Sequence, residues 1–224
     1  MPRTPRVDIG NLVYHVINRA NTRAQIFHTD KDYQLFETVL AEAKELNSMR
    51  ILAYCVMPNH WHLVLQPRED GDLQVFMRWL TMTHTQRFHA ARKTAGAGHL
   101  YQGRYKSFLV ETSPYFLQLC RYVERNPLRA RMVCKAEQWR WSSLWRREKG
   151  SEQQKKLLSL WPEDMPEDYL EYVNMHEPDE ELKEIRYSVN RGKPYGGDSW
   201  VKRMIKKFDL ESTVRNPWRP KKGS

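Results

Sequence analysis

Two apolar runs, "MRILAYCVMP" (residues 49–58) and "HWHLVLQP" (residues 60–67), stand almost end to end, and this pairing restricts the fold more than any other feature of the chain. Both are rich in Val, Leu, Ile and aromatic residues, and Pro58 and Asn59 between them supply turn chemistry. A parallel pairing needs a crossover of a dozen or more residues, so strands joined this closely run antiparallel. The centre of the fold is therefore a hairpin, and the flanking segments must build on it.

Those segments alternate in period. "NLVYHVINRA" (residues 11–20) sets Leu12, Tyr14, Val16 and Asn18 on one side and Val13, His15 and Ile17 on the other, as a strand covered on both faces does. Thr29 with Asp32 begins a capping-box pattern, and Leu35, Phe36, Val39, Leu40 and Ala43 then recur at helical spacing up to Asn47. After the hairpin a second helical stretch runs from Asp72 to about Lys93, and a Gly-containing loop leads to a short strand over residues 107–110. A third helix opens at "TSPYF", with Ser113 as cap and Pro114 in the first turn, and Pro127 predicts its end near Asn126. The order β-α-β-β-α-β-α predicts an α+β, ferredoxin-like four-stranded antiparallel sheet with helices on one face.

Residues 1–149 form that domain, and residues 150–224 read as a small helical, basic C-terminal extension. "SEQQKK" and the acidic, proline-rich "WPEDMPED" break the pattern, and two amphipathic segments follow. The second sets Val201, Met204, Ile205 and Phe208 against Lys202, Arg203, Lys206 and Lys207, and "RNPWRPKKGS" ends the chain as a flexible arm. Thirty-seven Lys and Arg against 27 Asp and Glu leave a formal charge of +10, which points to a polyanionic partner, nucleic acid first. No apolar run is long enough for a membrane span and no signal-peptide pattern opens the chain, so a soluble, cytoplasmic protein is expected. Cys55, Cys120 and Cys134 form no CxxC pair and read as buried, reduced thiols.

Candidate chemistry begins at His60 and His62. Side chains two apart on a strand share a face, roughly 6 to 7 Å apart at the backbone, so both imidazoles can reach one ion while Trp61 points into packing. The same spacing suits two surface histidines on a half-exposed strand, and a metal site needs a further donor. In "SPYFLQLCRYVERNPLRARMV", Tyr122 and Asn126 lie four apart on one helical face, with Gln118 and Tyr115 one and two turns earlier. Taken alone, Tyr122 reads as a rim tyrosine of the apolar stripe and Asn126 as a helix-end amide before proline.

Taken together, "VMPNHWHLVLQP", "GHLYQGRYKSFLVE" and "LCRYVERNPLRARMV" resemble, in order and spacing, the single-tyrosine HUH transposases of small insertion sequences. Their domesticated branch, the REP-associated tyrosine transposases, is the most similar, over about residues 10–147, and the tail from Ile185 resembles the extension many of them carry. The resemblance implies the HUH nuclease fold, with His60 and His62 as metal ligands, Tyr122 as nucleophile and Asn126 at the third-ligand position, where some relatives have glutamine. It further implies Mg²⁺ or Mn²⁺ as cofactor, a 5′-phosphotyrosine intermediate, and single-stranded DNA bearing a repetitive extragenic palindrome hairpin as partner, handled by a monomer. Arg104, Lys106, Arg121 and Arg125 are the cations nearest these motifs and Lys202, Arg203 and Lys206 the basic helix face, all candidates for DNA phosphates. Tyr101, Tyr105, Trp139, Trp141 and Trp145 are candidate base-stacking platforms. A non-catalytic hairpin-binding regulator on the same fold is the alternative. An amidohydrolase, whose HxH opens a much longer barrel, does not fit the length.

Overall fold

The computed structural model describes residues 6–96 and 98–215. Strands β1 (Val13–Arg19), β2 (Arg50–Met57), β3 (His60–Gln66) and β4 (Lys106–Val110) form one antiparallel sheet in the order β2-β3-β1-β4. The first strand is therefore central: Tyr14 lies opposite both Leu65 and Leu109, and Arg19 lies opposite His60.

Helices cover both faces of this sheet, where one face was expected. Along β3, Trp61, Leu63 and Leu65 point into a core shared with α1 (Asp30–Asn47) and α2 (Asp72–Arg92). Val64 points the other way, toward α3 (Tyr115–Glu124), as do Leu52 and Cys55 of β2. The reason is in the strands themselves: alternate residues on both sides are apolar, and neither face can be left to water at a cost of about 25 cal/mol per Å².

Local chemistry sets the helix ends. The Asp32 carboxylate accepts the backbone N–H groups of Thr29 (2.9 Å) and His28 (2.8 Å), as the capping-box pattern predicts. Ser113 caps nothing: its N–H goes to Glu163, and α3 starts one residue later, after Pro114. α3 itself stops at Glu124, near the end that Pro127 predicts. After a break at Arg125, α4 (Asn126–Arg129) adds one turn, with Pro127 in its first turn where no N–H is required.

The C-terminal residues build on both cores. The chain continues through α5 (Ser143–Lys149), α6 (Glu152–Lys155), α7 (Tyr169–Asn174), α8 (Asp179–Arg191) and α9 (Asp198–Lys207). Leu157 and Met204 join the α1–α2 side, while Tyr169, Val173, Ile185 and Tyr195 join the α3 side. Gly192 ends α8 at φ 72°, a left-handed conformation that favours glycine. The residues around Tyr195 then run beside the edge of β4, with Tyr195 N–H donating to Leu109 O (2.8 Å) and Glu111 N–H to Tyr195 O (2.9 Å). Cys55 and Cys120 are buried thiols, but Cys134 is exposed. Among the described residues no helix is long and apolar enough to cross a membrane. Of the expected flexible arm, all but Arg215 lies outside the described residues.

Candidate active site

His60 opens β3 and His62 follows on the same face, their rings 5.1 Å apart between centroids. His60 Nδ1 is 2.6 Å from Asn59 Oδ1, and because an amide oxygen only accepts, that nitrogen carries the proton. Its Nε2 is left with a lone pair. His62 Nδ1 is 2.8 Å from His15 Nε2 on the neighbouring strand. With the shared proton on His62 Nδ1, the Nε2 of His62 is likewise an open donor and the remaining proton of His15 sits on Nδ1, a buried atom without a partner.

The electrostatics favour neutral rings. Burial lowers His15 to about 3. Burial, helped by Arg19, lowers His60 to about 4. His62 falls well below the ordinary histidine value through burial and then through His15, His60, Arg129 and Arg19. All three are deprotonated at neutral pH, the state a metal ligand requires. Two imidazole nitrogens with fixed outer partners fit a divalent ion. Among the described residues no three His, Cys, Asp or Glu side chains cluster to hold one, so a third protein donor would be of another type.

Tyr122 is brought to the histidines by α3. Its ring meets His62 edge-on at 5.8 Å and His15 at 6.4 Å, and the Arg129 guanidinium lies over it at 4.6 Å. Burial raises its pKa above that of an ordinary phenol, Glu177 adds to the rise, and Arg129, Arg186 and Arg19 act the other way. Asn126 lies one turn on, but its amide turns back along the helix. Nδ2 donates to Tyr122 O (3.0 Å) and Val123 O (3.2 Å), while Oδ1 accepts from Arg129 Nη1 (3.2 Å) and keeps a second lone pair. Tyr115, at the start of α3, packs against Tyr195 instead.

The expected DNA-contacting cations divide into two groups. Arg121 is buried, forms a bidentate pair with Glu181 (2.7 and 2.6 Å) and covers the Tyr172 ring. Arg125 donates to the carbonyls of Val173 (3.1 Å) and Asn174 (2.7 Å) and pairs with Glu177. Both are engaged by the C-terminal residues, which corrects their assignment to DNA. Arg104 and Lys106 are exposed, and Arg104 lines each of three clefts of about 500, 840 and 390 Å³. Lys202, Arg203 and Lys206 are exposed on α9, whose Val201 and Met204 are buried. Among the stacking candidates, Tyr101, Tyr105 and Trp141 are core residues. Tyr101 carries a Trp61 hydrogen bond (3.0 Å), Trp141 stacks on Tyr33, and Tyr105 lies under Arg6. Trp139 donates to Val56 O (2.9 Å), and Arg140 lies over the ring of Trp145.

Four residues at this site were not singled out from sequence: His15, Arg19, Arg129 and Glu177. His15 was legible as an inward position of β1, but its meeting with His62 needs the β1–β3 register. Arg129 stands seven residues after Tyr122, two helical turns, which places it on the same side. Glu177 carried no such signal.

The family model for IS200-like transposases matches residues 8–126, more than half of the chain. Among solved structures, the chain is similar to a REP-associated tyrosine transposase bound to a REP hairpin, at 20% identity and TM-score 0.56 over 73% of this chain and 93% of that one. It is also similar to a candidate transposase from Deinococcus radiodurans R1, at 22% identity over 55% of this chain and 97% of that one, with TM-score 0.39. No curated protein matches it.

Proposed function

Because the chain belongs to the family of IS200-like transposases, we propose that it is a metal-dependent endonuclease and strand transferase acting on hairpin-bearing single-stranded DNA through Tyr122. The observation that carries this reading is the edge contact of the Tyr122 ring with His62, which gathers a buried phenol and two open imidazole nitrogens at one point of the sheet. His60 and His62, with Asn126 as the third candidate, would hold Mg²⁺ or Mn²⁺, which supplies charge withdrawal from a non-bridging oxygen of the scissile phosphate. Nitrogen ligands favour Mn²⁺ of the two.

The step balances simply. Tyr122 Oη forms a bond to phosphorus as the bond from phosphorus to the 3′-oxygen breaks; the phenol proton leaves to solvent and the departing 3′-oxygen gains one. A 5′-phosphotyrosine and a free 3′-hydroxyl result, and attack by a 3′-hydroxyl in the reverse sense rejoins strands. The raised phenol pKa means that Tyr122 starts protonated, so its proton is lost during attack, with Arg129, Arg186 and Arg19 offsetting the developing charge. Arg104, Lys106, Lys202, Arg203 and Lys206 serve the phosphates of a palindromic hairpin of the REP kind. Residues 1–149 are the catalytic domain and residues 150–224 an extension whose Glu177 and Glu181 brace α3 and α4 in cis, as a monomer requires.

The test mixes the full chain with labelled hairpin-bearing single strands and Mn²⁺ and looks for a denaturation-resistant adduct. Wild type forms it and Tyr122→Phe does not. An adduct with Tyr122→Phe refutes the assignment of the nucleophile; hairpin binding with no adduct from wild type makes the chain a regulatory binder on this fold.

A further inference from the structure

Tyr122 is held by its ring alone, since its hydroxyl makes no hydrogen bond among the described residues, and the helix that carries it breaks three residues later. The Asn126 amide spans the break by donating to Tyr122 O and Val123 O, and Arg129 joins both sides of it. Its Nη2 donates to Tyr122 O (3.1 Å), its Nη1 donates to Asn126 Oδ1 (3.2 Å), and its guanidinium plane lies over the Tyr122 ring. The guanidinium is itself held from the other side. Glu177, 4% exposed in the link between α7 and α8, accepts from Arg129 Nη2 through both oxygens (2.7 Å each) and from Nε through Oε2 (3.0 Å).

We infer that Arg129 is the positioning residue for Tyr122 and Asn126, and that Glu177 fixes Arg129 in that role. The inference rests on the proposed function and adds to it a route by which the C-terminal residues act on the chemistry without touching DNA. A planar, five-donor fork is well matched to holding two groups at once, because two donors locked by a carboxylate set the plane, and the face and remaining donors then set the neighbours. Nε, Nη1 and Nη2 of Arg129 are all engaged within the protein, with one Nη1 N–H remaining. Arg125 also approaches Glu177, at 3.5 Å, so the carboxylate is shared by two cations of the same helical path.

The experiment compares Glu177→Gln, Arg129→Lys and Glu181→Ala in the full chain. Glu181→Ala breaks the Arg121 pair of the same C-terminal residues and serves as the control for general bracing. We expect Glu177→Gln and Arg129→Lys to slow single-turnover adduct formation on the order of a hundredfold, the scale of a misplacement near 1 Å, with hairpin affinity unchanged. In the DNA-free protein carrying ¹³C-labelled tyrosine, both should shift the ring resonance that Tyr122→Phe removes. Glu181→Ala should leave rate and resonance as in wild type. A wild-type rate in Glu177→Gln overturns the inference, as does an equal loss of hairpin binding or an equal loss of rate in Glu181→Ala. Should wild type form no adduct, the proposed function fails by itself, and the resonance still decides: if it is unmoved by Glu177→Gln, Arg129 does not position Tyr122.

Discussion

On the face of the sheet covered by α1 and α2, His84 is enclosed by Phe27, Phe36, Phe88 and Tyr101; on the face covered by α3, His62 is enclosed by His15, His60 and Tyr122. Both histidines are buried and both are held neutral by that burial, His84 at about 3. Their partners separate them. His84 Nδ1 is hydrogen-bonded to the Tyr101 hydroxyl at 2.7 Å, and that oxygen also accepts from Trp61 Nε1. The Nε2 of His84 is buried without a partner among the described residues, enclosed by phenyl rings. His62 instead shares a proton with His15, and its ring lies beside His60 and the ring of Tyr122, whose hydroxyl makes no hydrogen bond among the described residues. A buried imidazole with a free nitrogen therefore says little by itself; the side chains around it, phenyl rings at His84 and a second imidazole and a phenol at His62, distinguish a packed histidine from a candidate ligand.

The contrast can be broken most forcefully at Trp61, the residue between the two candidate ligands. Trp61→Ala should cost about 3–5 kcal/mol of folding stability, read from urea unfolding, because it empties a core position on the α1–α2 side. Tyr101→Phe should cost about 1–3 kcal/mol by the same measurement, since it strips the hydroxyl from two buried nitrogens. Retention of full stability would show that the two nitrogens find other partners. His15→Ala tests the opposite face: Mn²⁺ affinity, followed by titration calorimetry without DNA, should fall about 10- to 100-fold through loss of the group that orients His62. Unchanged affinity would remove His15 from the site.

The remaining effect is a slope. The folded values of about 3 for His15 and His84 and about 4 for His60 lie below the unfolded value of about 6.5. Between those limits the unfolded chain holds more protons, so their stabilising contribution is complete above about pH 6.5 and drains away as pH falls, by up to about 1.4 kcal/mol per pH unit for each histidine. Unfolding of the metal-free protein across this window should show that slope, and His84→Phe should reduce it by one histidine's share. An unchanged slope in that variant would place the titrating groups elsewhere.

Much of this was legible in the chain. The hairpin, the order of elements, the capping of α1 by Thr29 and Asp32 and the amphipathic α9 follow from near neighbours, and so do the shared face of His60 and His62 and the spacing of Tyr122 and Asn126. The layering of helices was misread because a strand's period shows that both sides are apolar and not what covers each. Arg121 and Arg125 were misread for a related reason: a cation's spacing shows its direction, but its carboxylate partner lies some 50 to 60 residues on, at Glu177 and Glu181.

Sequence by itself determined the residue types of the site, their local periodicity and the basic balance of the chain, all properties of side chains a few positions apart. Only the tertiary structure decided that His15 orients His62, that α3 packs on the histidine face, and that Glu177 holds Arg129 over Tyr122. Those contacts join distant segments through strand register and buried charge pairing, and neither is written in any short stretch of sequence.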